Sequence, residues 1–324
     1  MRRNRALLFA LSLVVSSTVG SGARAADWPA HPVRVIIPFG AGSATDIIPR
    51  IVFDQVSRDL GQQFIIENRG GAGGTIGEAA VAKADADGYT FLAASSAHAI
   101  APALYPKLSY SPKDDFAAVG IIGNVPSVMI ISPSKGIKTI QEFVAQAKAN
   151  PNKFTFATLG IGSAVHLAAE RFRLSAGYEA INVPFKGGAE ALTEVIAGRV
   201  DYYFCPIATA LPYIKEGKLL GLTVSSPTRA SLLPEIPTTE EAGYKDSASP
   251  FWIGVFALTK TDKAIVEKLN AALAKAVTNP EVKAKLAKIG ADTPPMSADA
   301  FEKQVQADFA TYADFAKKTG MTLN

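Results

Sequence analysis

The sequence predicts an α/β protein of two lobes, each a mostly parallel sheet flanked by helices, with two strands crossing between them. Three observations carry this. Apolar runs of strand length alternate with stretches whose apolar residues recur at helical spacing. That alternation is broken twice by longer apolar runs, at 117–132 and at Phe251 to Leu258. Several of the expected strands are followed by glycine- or serine-rich loops that lead into a helix.

Val33 to Ile37 reads as a buried strand, and Asp46 to Leu60 as a helix with Ile47, Ile48, Ile51, Val52 and Val56 on one face. Phe64 to Ile66 and Thr90 to Ala94 are the next strands. Strands alternating with helices imply right-handed βαβ units. In the run from Ala117 to Ser132, Gly120, Gly123 and Pro126 would weaken a single strand, so this run is expected to cross between lobes. A second alternating block follows: helix Ile140 to Ala149, strand Phe154 to Ala157, helix Val165 to Ala176, strand Ala180 to Pro184, helix Ala189 to Ala197, and strands Val200 to Phe204 and Leu219 to Val224. After a Pro/Thr-rich loop, Leu233 to Gly243, the second crossing is Phe251 to Leu258. The rest is helical. Thr261 or Asp262 caps one helix, Pro280 opens a short one, and Ser297 caps a last one that ends at Gly320. Residues 26–124 and 250–324 are expected to form lobe I, and 125–249 lobe II, a body that can close about its crossing strands.

A chain of 324 residues suits about two domains of ordinary size. It is 48% hydrophobic and 19% charged, with 33 basic against 29 acidic side chains. A net charge of +4 with no Lys/Arg block after the first residues argues against a nucleic-acid partner. Residues 1–25 read as an export signal: Arg2, Arg3 and Arg5, an apolar run from Ala6 to Val19, then Ala23-Arg24-Ala25. Cleavage after Ala25 would release a soluble protein outside the cytoplasm, in the periplasm. No Cys follows the run to take a lipid, and Cys205 is the single cysteine, so no internal disulfide is possible.

The segment Pro38-Phe39-Gly40-Ala41-Gly42-Ser43-Ala44-Thr45-Asp46 follows a strand and opens a helix. The first helical N–H groups lack internal partners, and with the helix dipole they favour an anion. Ser43 and Thr45 add hydroxyls, so a carboxylate could be held there without an arginine. Two other readings stay open: a plain β–α turn, or an incomplete dinucleotide loop with Glu67 as the ribose acid. The third glycine of that fingerprint is missing, since position 45 is Thr, and export is at odds with a nicotinamide enzyme. Ser95-Ser96-Ala97-His98, Thr158-Leu159-Gly160-Ile161-Gly162-Ser163 and Lys186-Gly187-Gly188 repeat the arrangement. Loops at the carboxyl ends of strands in both lobes would line a shared cleft.

Catalytic groups are scarce. His31, His98 and His166 do not cluster with other metal-ligating residues, and no metal or cofactor is expected. His31 reads as structural; His98 and His166 read as orienting a loop or bonding ligand. Ser163 lies in Gly160-Ile161-Gly162-Ser163-Ala164, not in a nucleophile elbow. Cys205, ahead of Pro206 on an apolar strand, reads as buried and inert.

Ordered blocks along the mature chain carry a family resemblance. They are Trp28-Pro29, the strand and loop from Val33 to Asp46, Glu67 to Gly77, Ala86 to Thr90, Leu104-Tyr105, Asp115-Phe116, Gly162-Ser163 with His166-Leu167, and Val183 to Gly187. Leu211-Pro212, Gly217 to Leu219, Ile236 to Thr238 and Glu241 to Gly243 complete the run. On these residues the chain resembles the Bug family, the extracytoplasmic solute receptors of tripartite tricarboxylate transporters. The resemblance implies a type II periplasmic-binding fold, no enzymatic activity, and a monomer that binds a small organic acid by loop amides and hydroxyls and delivers it to integral-membrane transporter subunits. By position, it implies ligand-binding residues Phe39, Ala41, Gly42, Ser43 and Asp46, then Ser95, Ser96 and His98, then Thr158, Gly160, Gly162 and Ser163. Asp46 would brace its loop and Phe39 form an apolar wall. Cys205 stands where many members have an acidic residue, which suits a ligand whose distal end is less polar or longer and carries no amino group. A sensor that presents ligand to a signalling partner, or an exported α/β enzyme, are the alternatives.

Overall fold

The computed structural model describes residues 28–293 and 296–319; the expected signal peptide and the helix stop at Gly320 lie outside them. Two five-stranded sheets form the frame. In the first, β1 (Val33–Ile37) lies between β2 (Phe64–Asn68) and β3 (Thr90–Ser95), followed by β10 (Trp252–Leu258) and β4 (Phe116–Asn124). In the second, β6 (Phe154–Thr158) lies between β7 (Ala180–Pro184) and β8 (Tyr202–Pro206), followed by β5 (Ser127–Ile131) and β9 (Leu220–Val224).

Both sheets are mixed in the same way. β1 pairs parallel with β2 and β3, as β6 does with β7 and β8. The strands beside the two crossings are antiparallel: β10 with β3 and β4, and β5 with β8 and β9. The expected run 117–132 is therefore two strands in different sheets, separated by Val125 and Pro126. Proline has no N–H for a ladder, and the Pro126 carbonyl instead accepts from Ile207 N at 3.0 Å. β8 is placed two residues later than the sequence suggested, because Asp201 bonds Thr155 rather than extending the strand.

Ten helices of the described residues cover the sheets. They are α1 (Ala44–Leu60), α2 (Thr75–Ala82), α3 (Ala97–Leu104), α4 (Ile140–Ala149), α5 (Ala164–Ala176), α6 (Gly188–Ile196), α7 (Ile207–Lys215), α8 (Lys263–Thr278), α9 (Pro280–Lys288) and α10 (Ala298–Thr319). Three of these, α2, α3 and α7, were not evident from sequence. Each has eight or nine residues, and α3 and α7 contain Pro102 and Pro212.

Each sheet is covered on both faces, which is why its inner strands read as continuous apolar runs. Val33, Val35 and Ile37 enter one cluster with α1 and α8, while Ile36 enters the cluster beneath α3 and α10. Val128 and Ile130 face α5 to α7, and Met129 and Ile131 face α4 with Phe143, Phe172 and Tyr202. Burying one such aliphatic side chain stabilises the fold by about 1.5–3 kcal/mol.

Packing is close enough that glycine is required within β10. A Cβ built on Gly254 would overlap the ring of Phe301, a fully buried residue of α10. Gly254→Ala is therefore expected to lower unfolding free energy by about 1–3 kcal/mol through overpacking. A shift in the urea midpoint at unchanged slope checks it.

Candidate functional site

The loop after β1 is built around Asp46. This residue is the third of α1, and its Oδ2 accepts the Gly42 N–H at 2.8 Å. Its Oδ1 accepts from Arg50 Nε at 2.8 Å and from Asn68 Nδ2 at 2.9 Å, and Asn68 also donates to the Phe39 carbonyl at 3.0 Å. The buried carboxylate thus ties together the loop, the helix and the end of β2, and Arg50 offsets its charge. Gly42, at φ 80°, takes a backbone shape that a side chain would resist.

The helix end itself is left open. Ser43 is the N-cap residue, yet its side chain caps nothing. Its Oγ is buried and has no hydrogen-bond partner, and the first turn's amides at Ala44 and Thr45 have no side-chain acceptor. An uncapped N-terminus with a buried unpaired hydroxyl is a place where an anion's oxygen would supply missing acceptors.

The loop after β3 contributes less. Ser95 Oγ accepts weakly from Ala97 N at 3.4 Å, and the Ser96 amide donates to the Trp252 carbonyl. The buried Ser96 hydroxyl faces Tyr312 but is outside good hydrogen-bond geometry. His98 requires a correction. Its ring is 1% exposed, with Nδ1 3.0 Å from Glu78 Oε2, and it packs against Phe116, Phe256 and Phe309. Glu78 accepts a second bond from Tyr110. His98 lies in the first turn of α3, packed into the core beside the first sheet, and its ring is committed to Glu78.

In the second sheet the loop hydroxyls are already committed. Thr158 Oγ1 donates to Asn182 Oδ1 at 2.7 Å. Ser163 Oγ donates to the Gly160 carbonyl at 2.7 Å and caps α5 by accepting from His166 N. A hydroxyl has one proton, so neither can also donate to a carboxylate as placed. They brace the turn through Gly160 and Gly162, which have φ of 96° and 84°. Cys205 is likewise corrected as a contact residue: it is fully buried with Val128, Tyr203, Ile207 and Val224, and burial pushes its thiol up, keeping it neutral. The residues that follow it, Pro206 to Thr209, which the resemblance also sets against the ligand's distal end, turn out to start a helix, α7. Pro206 is a cap residue that makes no side-chain cap bond, and Ala208 and Thr209 are half-buried there. The signal was Cys205-Pro206 itself, a proline at a strand end.

The loops of the two lobes meet. Ala44 and Ala164, which begin α1 and α5, belong to one apolar cluster, and Leu167 of α5 joins the cluster of Leu104 and Tyr312. A Cβ on Gly162 would lie 3.1 Å from Leu104 Cδ1, and one on Gly73 would lie 3.1 Å from the Ile161 carbonyl. On another side, Gly290 approaches Ile207. These residues bring the two lobes into contact.

Residues 48–321 match the family described as "Tripartite tricarboxylate transporter family receptor", TctC. The chain belongs to this family. TctC receptors are solute-binding proteins, and among the described residues no helix of this one is long and apolar enough to cross a membrane. It is 30% identical over 325 residues to Protein BugT of Bordetella pertussis, covering all of both chains. Among solved structures, an R. palustris protein with adipate superposes at a TM-score of 0.85, with 31% identity over 92% of this chain and 100% of that one. MatC of Rhodopseudomonas palustris, with bound malate, superposes at 0.82, with 31% identity over 89% of this chain and 99% of that one. Both share the two-lobed periplasmic-binding fold, in agreement with the expected fold and family.

The receptor's cleft geometry gives two predictions. Asp46→Ala frees the Gly42 amide and strands Arg50 and Asn68, so it should cost about 1–3 kcal/mol of stability and speed hydrogen exchange at Gly42. Measured exchange equal to wild type would contradict the bracing role. The second concerns His166, whose Nδ1 accepts the Gly162 amide at 3.3 Å. Burial lowers its pKa from 6.5 to about 4, against the opposing pull of Glu170. The unfolded chain therefore binds a proton that the folded chain refuses between those values. This contribution is whole above about pH 6.5 and fades towards pH 4, by at most roughly 3 kcal/mol. Urea midpoints at pH 7 and 4.5 should differ less for His166→Gln than for wild type.

Proposed function

We propose that this protein, exported to the periplasm after removal of residues 1–25, captures a small organic carboxylate between its lobes and hands it to the integral-membrane subunits of a tripartite transporter. Residues 26–124 with 250–324 form one lobe of this monomer and 125–249 the other. The observation that carries the reading is the open start of α1, with the buried Ser43 hydroxyl lacking a partner in the structure. A carboxylate oxygen there would accept from Ser43 and the first-turn amides. Each charge-assisted bond is worth about 1.5–3 kcal/mol, and the helix dipole adds up to about 2 kcal/mol.

Phe39, Ala41 and Gly42 complete the wall on this side. Ser95 and Ser96 flank it, and the braced turn of Gly160 and Gly162 with the start of α7 forms the opposite wall. Asp46, Thr158 and Ser163 act through the loops they hold. Relatives of the same family with malate and adipate support a di-acid of short to medium length.

A thermal-shift screen of organic acids tests the class. A matching acid at 100 times its Kd should stabilise the protein by about 2.7 kcal/mol, and silence across aliphatic, aromatic and amino acids would defeat it. Ser43→Ala sharpens the test, because an unpaired buried hydroxyl contributes nothing favourable to the empty protein. The variant should melt no lower than wild type while binding the acid about tenfold or more weakly. Unchanged affinity by calorimetry would remove α1 from the site.

A further inference from the structure

The second crossing is pinned at its two ends by side chains of opposite charge. At its start, beside the second sheet, Arg171 Nη2 of α5 donates to the Asp246 carbonyl at 3.1 Å. Ser175 Oγ of the same helix donates to the Lys245 carbonyl at 2.6 Å. Asp246 has φ 56°, a left-handed shape that aspartate adopts more readily than most residues. At its end, beside the first sheet, Asp308 Oδ2 of α10 accepts the Trp252 indole N–H at 2.7 Å. Between the pins, Ser249 N donates to the Ser225 carbonyl, and the Phe251 carbonyl accepts from Val125 N in the other crossing, both at 2.7 Å.

The two pins belong to different lobes and face each other. α10 packs on the first sheet through Phe301, Val305 and Tyr312, and α5 on the second through Ala168 and Phe172. Leu167, one turn before Arg171, joins the cluster of Tyr312 and Leu104. The pair therefore stands on the side of the crossings where the lobes meet. Burial holds the Asp308 carboxyl above its usual range, against the pull of the Trp252 bond and of the Arg171 charge. Arg171 is under-used: its Nε is buried and has no hydrogen-bond partner among the described residues. Bringing the lobes closer would give that donor an acceptor and the carboxylate a counter-charge.

We propose that Arg171 and Asp308 are a positioning pair across the lobes, drawing them together so that the second crossing is biased toward its closed arrangement before an acid binds. The inference rests on the capture reading given above, in which the lobes part and meet about the crossings. Neither residue is among those set against the carboxylate; both act through the lobes they hold. A bias of this kind raises affinity by lowering the share of binding energy spent on closure. It also slows release, because the lobes separate only when the pair is broken.

Double electron–electron resonance on the mature protein with no acid added tests this. Nitroxides on Lys107→Cys and Lys186→Cys, exposed positions beside the first and second sheets, report lobe separation, and Cys205 stays buried. Asp308→Asn keeps an acceptor for Trp252 while removing the charge, and Arg171→Gln removes the opposite charge. Each should lower the ratio of short to long separations by about fivefold. The double variant should move it no further than either single one. Asp308→Asn alone carries the test if Arg171→Gln fails to fold. A distribution unchanged by Asp308→Asn, or single shifts that simply add in the double variant, would overturn the pair. The acid screen reads the capture proposal separately: unmoved variants beside a positive screen overturn the pair alone. Shifted variants beside a silent screen support the pair and count against capture.

Discussion

Asp46 occupies the position in the first turn of α1 from which an acidic side chain commonly reaches back to the helix start while the N-cap hydroxyl reaches forward, two bonds that close a helix end on itself. Here Asp46 reaches back one residue further, past the N-cap. The carboxylate takes the amide of Gly42 and is held in turn by Arg50 and Asn68, while Ser43 makes no forward bond. The loop is braced by these bonds, and the helix end it leads into is still unsatisfied. The proposed carboxylate site depends on that combination: donors that are fixed in place lose little freedom when a ligand arrives, and donors without partners lose no existing bond.

The facing lobe solves the same local problem the opposite way. Ser163 caps α5 and ties down the Gly160 carbonyl, and the neutral ring of His166 takes the Gly162 amide. This turn is closed on itself and serves as a shaped wall. The two helix starts therefore differ: on the proposed reading the open one, after β1, receives the anion, and the turn at Gly162, close to Leu104, serves as the wall opposite.

Much of the frame was legible from residues alone. Buried strands announced themselves as apolar runs, and the long helices α1, α5, α8 and α10 by their spacing. The loop from Phe39 to Asp46 could be read as an anion site because its chemistry is local: a strand end, glycines, hydroxyls and a helix start. Long-range partners were not legible. His98 looks like a loop residue beside two serines, and only the fold brings Glu78 against its ring. Thr158 looks like a free donor until Asn182, on the neighbouring strand, accepts its hydrogen bond. α7 was hidden because Pro212 interrupts its pattern and Cys205-Pro206 read as a strand end alone. The two crossings were found, but their antiparallel pairing depends on which strands the chain meets after returning.

On the proposed reading, the first turn of α1 donates to the ligand's carboxylate. Amide chemical shifts followed by NMR during titration with the acid that most stabilises the protein would test it directly. The Ala44 and Thr45 amide protons should move downfield and become protected from exchange, while Gly42, already bonded to Asp46, should change little. A titration that saturates with Ala44 and Thr45 unmoved, and with the large shifts elsewhere in the crevice, would contradict it.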